Sequence, residues 1–255
     1  FSLYESIAAG RYGLVYGPYY IAISPLQSVR TRNPAADWTP VAIPSAGGTD
    51  AKVQTDVDVS GYWVVRKDCA HPAAVVKLLD FWYRKFYFNK SQQEYETFIN
   101  GPDSVGIYNN SPIISYRNWF NVESFLQVRD VLDGKGREED LGPIPLDSLR
   151  KIQAFEAGDE SAWYAPKFHE AVLDVLLPYR EQGRFMPDQS YFVISEASNR
   201  KFSALQTKER TLFARIIQGD ATIEEFDDFV DDWNRHGGAD ITRDVNEWFR
   251  NQGAG

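Results

Sequence analysis

The stretch Ser60–Phe88, SGYWVVRKDCAHPAAVVKLLDFWYRKFYF, changes its hydrophobic period half-way along. Its first part, SGYWVVRKD (Ser60–Asp68), is rich in Val and aromatics and reads as a strand. Past Pro72, a residue suited to a first helical turn, Val75, Leu78, Leu79, Trp82 and Phe86 recur at helical spacing and predict a helix. A strand that feeds a helix is the unit of an α/β fold.

Working outward, the strands lie early and the helices late. Leu3–Ala9 reads as the end of a helix, stopped by Gly10. Tyr12–Tyr16 reads as a short strand broken by Gly17-Pro18. Tyr19–Val29 follows as a short amphipathic helix with a kink at Pro25. DWTPVAIPSAGGTDAKV, from Asp37, predicts a further short strand and then a Gly-rich turn. After Phe88, helices are predicted over Val122–Leu132, Leu146–Glu156, Pro166–Tyr179, Phe202–Gln218, Thr222–Arg235 and Ile241–Asn251. Asp220 and Thr222 are candidate N-caps, Glu225 completes a capping box with Thr222, and Gly237-Gly238 marks a stop. The expectation is an α/β chain, helix-rich, with a few short strands.

At 255 residues and 43% hydrophobic content the chain can bury a large core, as one large domain or two lobes. Its net charge of -9 argues against nucleic acid as a partner, since phosphate neutralisation needs basic patches. No run approaches the roughly 20 apolar residues that span a bilayer. One cysteine, Cys69, excludes an internal disulfide and any multi-cysteine zinc site. Cysteine poverty of this kind fits many exported bacterial proteins. The chain opens at Phe1, inside an apparent helix and without Met, and reads as a mature or truncated piece of a longer protein.

Catalytic and metal patterns are weak. DVDVSG (Asp56–Gly61) begins like a calcium loop, but the twelfth position, which should be a bidentate Glu, is Lys67. DDFVDD (Asp227–Asp232) imitates a magnesium-diphosphate motif, yet Phe226, Phe229, Val230 and Trp233 make it one amphipathic helix with a wet acidic side. The three histidines, His71, His169 and His236, have no nucleophile elbow beside them, and no Gly-rich phosphate loop exists. Paired carboxylates for glycoside hydrolysis stay open, because with 36 acidic residues their presence says nothing. No metal and no cofactor is implied.

Aromatic content is the unusual feature: 15%, with 14 Tyr and 7 Trp. Most would fill a core; some would offer flat apolar faces with polar handles to a ligand. GRYGLVYGPYY (Gly10–Tyr20) is the sharpest case, because it leaves a strand by a Gly-Pro turn and places Tyr19 and Tyr20 at the exit.

Four segments in order carry a family resemblance: AAGRYGLVYGPYY, GYWVVRKDCAHPAAVVKLLDFWY, KIQAFEAGDESAW and IIQGDATIEEFDDFVDDWNRHGGADITRDVNEWF. Together they resemble family 1 extracellular solute-binding proteins, and within them the sugar-type binding lipoproteins of Gram-positive ABC importers. The resemblance implies a type II periplasmic-binding-protein fold, of which this chain is the C-terminal portion. Residues 1–57 would be a second-lobe segment and 58–100 would cross back to the first lobe. Residues 101–255 would be mainly helical second-lobe and C-terminal segment. It also implies a cell-surface, extracellular lipoprotein whose only membrane attachment is a lipid anchor outside this chain; Cys69 is not that anchor.

By the same resemblance Tyr19 lines the ligand cleft and stacks on a pyranose ring, with Tyr20 beside it where many members carry Trp-Trp. Trp163 matches the family's Trp, with Tyr164 after it, although the following APKF departs from the usual Gly-rich turn. Trp119 and Trp38 are further ligand-binding candidates. The implied partners are a carbohydrate or other small solute and an ABC permease, with no catalysis. Two rivals stand beside this expectation: a carbohydrate-active enzyme or accessory module, and a surface interaction protein without a small ligand.

Overall fold

The computed structural model describes residues 3–45, 47–55, 61–188 and 196–252. They are mostly helical, with two three-residue strands. The chain divides into two compact units: Phe1–Val53 with Asp58–Phe185, and Gln54–Val57 with Met186–Gly255. Strands β1 (Val53–Thr55) and β2 (Phe185–Pro187) pair where the chain passes between units, with Val53 N–H donating to the Arg184 carbonyl at 2.9 Å.

The larger unit begins with α1 (Leu3–Ala8), and α2 (Gln27–Arg32) follows a bent turn over Ala22–Leu26. The predicted helix over Tyr19–Val29 is interrupted at Ser24, whose extended backbone (φ -160, ψ 130) places the break one residue before Pro25. Ile7, Leu26 and Val29 close on Trp163 as one buried cluster. The next helices are α3 (Ala74–Phe86), α4 (Gln92–Phe98) and α5 (Ile107–Asn110). Ser91 caps α4 by accepting from the Glu94 N–H at 3.3 Å.

The main core is built by α6 (Phe120–Leu132), α7 (Pro143–Glu156) and α8 (Tyr164–Glu170), the last continuing through a widened turn, Ala171–Leu176, into α9 (Leu177–Glu181). Val122, Phe125 and Val128 recur every three residues along α6 and so share its inner face. They meet Leu149 and Ile152 of α7, Ala165 of α8, and Val172 and Leu173 beyond it. Helix α7 starts earlier than its apolar spacing suggests because Pro143, needing no amide partner, occupies its first turn.

The smaller unit holds α10 (Glu196–Gln218), α11 (Glu225–Trp233) and α12 (Ala239–Gln252). Phe226, Phe229 and Trp233 form a ladder along α11 with centroids 6.0 and 5.7 Å apart, but no residue of that helix is fully buried. The Glu225 carboxylate accepts from the Thr222 N–H at 3.2 Å, which is the reach-back half of the capping box. At the Gly237-Gly238 stop, Gly237 takes φ +124, and a Cβ on Gly238 would lie 2.0 Å from the Trp233 ring. A glycine pair is what lets the chain turn against that indole.

Three strand expectations fail. Among the described residues, Tyr12–Tyr16, the extended run after Asp37, and Gly61–Asp68 of the Ser60–Asp68 stretch join no sheet; residues 56–60, with the start of the calcium-like stretch, lie outside the described residues. Val, Ile and aromatic residues favour a strand only where a neighbouring strand covers them. Here the segments find no ladder partner, and Leu14, Tyr16 and Val64 stand 82, 81 and 92% exposed. Leu149→Ala should therefore cost about 2–5 kcal/mol of unfolding free energy in urea titrations, the range for emptying a closed core site. Leu14→Ala should stay within about 0.5 kcal/mol of wild type, as for an uncovered surface residue. An equal loss from both would place Leu14 in a core.

Candidate functional site

The Gly17-Pro18 turn sets the site. Ile21 N–H donates to the Pro18 carbonyl at 2.9 Å and Ile23 N–H to the Tyr20 carbonyl at 3.1 Å. A Cβ on Gly17 would lie 2.6 Å from Ile21 Cδ1, so with glycine that side chain can fold back over the turn without shifting. The turn aims its two tyrosines differently. Tyr19 stacks on Phe168 of α8 (centroids 5.7 Å apart, planes 16° apart), and its hydroxyl accepts from Asn121 Nδ2 of α6 at 2.9 Å. Burial pushes the Tyr19 phenol above its ordinary value of 10.0, partly offset by Asn121 and reinforced by Tyr20. Tyr20 sits edge-on to Tyr19 at 5.4 Å and is 49% exposed. Tyr19 is thus the rigid backing and Tyr20 the ring open to solvent.

A second group of phenols lies in the same unit, and sequence reasoning missed it. Trp82 is buried in α3, and its Nε1 donates to the Ser115 carbonyl at 2.7 Å. The Tyr87 hydroxyl donates to the same carbonyl at 3.1 Å and accepts from the Arg117 N–H at 3.0 Å, while the Tyr83 hydroxyl lies 3.0 Å from Ser115 Oγ. Three aromatics of one helical stretch therefore pin the 111–117 loop. On it stands Tyr116, edge-on to Tyr108 of α5 with centroids 6.4 Å apart and hydroxyls 3.5 Å apart. The Tyr116 hydroxyl, then burial, push the Tyr108 phenol up to about 12; the nearby Tyr20 and Tyr87 add to this. The spacing signal was available in the paired IY and SY of GIYNNSPIISY (Gly106–Tyr116), but nothing in sequence ties them to Tyr20.

The other sequence candidates are placed elsewhere. Trp163 is 1% exposed, and its Nε1 donates to Asp37 Oδ1 at 3.2 Å, so its ring offers no face to a solute here. Burial would raise the Asp37 carboxyl, but Trp163 and Lys167 outweigh it and hold the group below the ordinary carboxylate range. Tyr164 is half-buried between the two clusters of the larger unit, its N–H donating to Gln27 Oε1 at 2.9 Å. Trp38 is half-buried against the Trp163 cluster and borders a shallow cavity of about 490 Å³ with Tyr12, Gly13 and Arg32. Trp119 sits at the entry to α6 in the left-handed region (φ 63), its ring under the Arg180 guanidinium at 4.6 Å and beside Phe185 at 5.4 Å. Only Tyr19 and Tyr20 meet as a pair with a free ring.

Two ion pairs of the larger unit are matched internally. Arg117 pairs with Glu123, and Lys151 Nζ lies 2.6 Å from Asp147. Phe86, Tyr87 and Phe120 border a cleft of about 440 Å³ that also includes Arg117 and Glu123. Among the described residues no group of three His, Cys, Asp or Glu is placed to hold a metal, and no helix is long and apolar enough to cross a membrane. Asp232 of the acidic motif is held by Lys208 Nζ at 2.6 Å and by His236 Nδ1 at 2.8 Å. Cys69 is exposed. Comparison with protein-family models, curated proteins and solved structures finds no match to the chain.

His169 of α8 is half-buried against the core. Its ring is edge-on to Phe125 at 5.2 Å, and its buried Nε2 has no hydrogen-bond partner. Burial pushes its pKa below 6.5, against weaker opposing pulls from the Phe125 backbone and Asp174. A lowered folded-state value means that the unfolded chain takes up the proton first. The contribution of neutral His169 to stability is present above pH 6.5 and is lost as pH falls through the lowered value. Urea midpoints should decline from pH 7.5 to pH 5, and the decline should be shallower in His169→Asn. Parallel declines would remove His169 as the cause.

Proposed function

We propose that the chain is a non-catalytic solute-binding subunit of an ABC importer that takes an oligosaccharide or sugar derivative and delivers it to a membrane permease. The observation that carries this reading is the Tyr19–Tyr20 pair: one ring locked by a stack and a hydrogen bond, the next half-open to solvent on top of it. A pyranose presents an apolar C–H face and a rim of hydroxyls. A rigid tyrosine matches both, giving apolar area with little side-chain entropy to lose and a hydroxyl for the rim. The order of the four resembling segments supports the same family.

On this reading the finer fold is the type II periplasmic-binding-protein arrangement, in which ligand closes two lobes and the closed form docks on the permease. The protein would then work outside the cell as a lipoprotein, its anchor outside this chain. Trp163 and Tyr164 would support the site from the core, with Asp37 and Gln27 as their partners.

A thermal-shift screen against mono- and oligosaccharides tests the proposal. A ligand at about 100 times its Kd stabilises the folded protein by about 2.7 kcal/mol. The expected outcome is a shift with at least one sugar that Tyr20→Ala abolishes, while the melting temperature without sugar stays unchanged. No shift with any sugar would turn the reading to another solute class or to a surface interaction protein.

A further inference from the structure

We infer that the cleft between the end of α3, α6 and the start of α7 is a second binding site, and that it takes a small aromatic monocarboxylate. The carboxylate sits at Asn89, Ser124 and the α7 N-terminus, and the ring lies against Phe86 and Phe120. The cleft borders neither Tyr19 nor Tyr20, and the inference does not depend on the sugar-binding reading.

Helix α6 uses two faces. Val122, Phe125 and Val128 enter the core, while Phe120, Ser124 and Gln127 line the cleft. Ser124 is 5% exposed, yet its hydroxyl has no hydrogen-bond partner among the described residues. A mid-helix serine can bond back to the carbonyl four residues before it, as Ser148 Oγ of α7 does to Ile144 at 3.2 Å; Ser124 makes no such bond. Asn89 borders the same cleft. Its Oδ1 accepts from the Ser91 N–H at 2.8 Å, which fixes the orientation of the amide, and its buried Nδ2 has no partner. Folded proteins leave few buried polar groups unpaired, and two on one cleft point to a ligand that completes them.

The third group is backbone. Pro143 and Pro145 take two of the first three positions of α7 and carry no N–H, and the Leu146 N–H donates to the Gly142 carbonyl at 3.0 Å. That leaves the Ile144 amide at the positive end of a 14-residue helix with no side-chain cap. An amide NH2, a hydroxyl and a backbone N–H can all donate, and a carboxylate accepts from all three. The fixed charges agree. Glu123 is held by Arg117, and Glu139 and Asp140 by Arg137 at 3.0 and 2.8 Å, whereas Lys90 at the rim pairs with no carboxylate of the described residues. A net charge of -9 gives an anion no long-range attraction, so these contacts alone hold it. The apolar wall sets the rest of the ligand. Phe86 and Phe120 lie 6.3 Å apart with planes at 52°, Tyr87 stands edge-on to Phe120, and a cleft of about 440 Å³ admits one flat ring on a short chain.

The test is calorimetric titration of the whole protein with 3-phenylpropionate, with 3-phenylpropionamide and propionate as controls. Wild type should bind 3-phenylpropionate, and each control about tenfold more weakly or worse. Ser124→Ala removes one donor. Asn89→Asp keeps the acceptor for the Ser91 N–H and replaces the other donor by a repelling charge. Each should weaken binding by about ten- to a hundredfold, the range for a hydrogen bond to a charged group. Ser124→Ala should leave the melting temperature of the free protein undiminished, because the hydroxyl it removes has no partner; should Asn89→Asp fail to fold, Ser124→Ala carries the test. Equal affinity for the amide would overturn the carboxylate assignment, and equal affinity for propionate the aromatic wall. Wild-type affinity in both variants would place the ligand outside this cleft and overturn the site. No binding by wild type at millimolar 3-phenylpropionate would also overturn it, leaving Asn89 and Ser124 to water.

Discussion

The inner face of α6 is the constraint on which the larger unit depends. Val122 and Val128 have no exposed surface, Phe125 has almost none, and the three meet α7, α8 and the turn beyond α8 in one cluster. Each such side chain contributes about 1.5–3 kcal/mol through burial, and a helix pinned on that face cannot rotate without exposing all three. The first turn of α6 is therefore fixed in space. That turn carries Asn121, which orients the Tyr19 hydroxyl, and Phe120, which packs edge-on against Tyr87 at 4.8 Å. Both groups of candidate recognition tyrosines are thus referred to one helix end.

The second level of order is polar. The carbonyl of Ser115 receives the Trp82 indole and the Tyr87 phenol, so a loop with no regular structure is tied to a helix by two donors. A buried indole N–H without a partner would carry a desolvation penalty of about 1–3 kcal/mol. The loop relieves that penalty, and the indole in return holds the loop. Each needs the other, which explains how Tyr116 can be presented outward on irregular backbone.

Helix spacing was the most legible part of the sequence, because a helix declares itself within its own residues. The apolar row of Val122–Leu132 appears in the structure within two residues of where its spacing puts it, and that of Phe202–Gln218 ends as read but begins earlier, at Glu196. Strands were read poorly, since a strand is completed by partners distant in sequence. Tyr12–Tyr16 and Gly61–Val65 have the composition of strands and lack the ladder, whereas the short pairing that does form, Val53–Thr55 with Phe185–Pro187, carries little strand signal of its own. The candidate site divides in the same way. The Gly-Pro turn made Tyr19 and Tyr20 visible as a local event. Trp163 looked equivalent on paper, but its burial by Ile7, Leu26 and Val29 is a tertiary fact. Tyr108 and Tyr116 were invisible as a pair because a left-handed glycine and a shared carbonyl bring them together, and neither feature shows in side-chain pattern.

The electrostatics of the surface bear on what kind of recognition it can perform. Burial raises the phenols of Tyr19 and Tyr87 above 10.0, and the Tyr116 hydroxyl with burial takes Tyr108 to about 12. A raised phenol pKa means that the fold favours the neutral form, and the hydroxyls of Tyr87 and Tyr19 are already engaged by Ser115, Arg117 and Asn121. Arg117, whose N–H meets the Tyr87 hydroxyl, is matched to Glu123. Exposed and half-exposed ion pairs are weakened by salt, but a phenol-to-hydroxyl hydrogen bond carries no net charge to screen. A surface built this way, on a chain of net charge -9, has no long-range pull on an anion. On the proposed reading such a surface would distinguish a solute at contact, by the shape of an apolar ring face and the spacing of neutral hydroxyls.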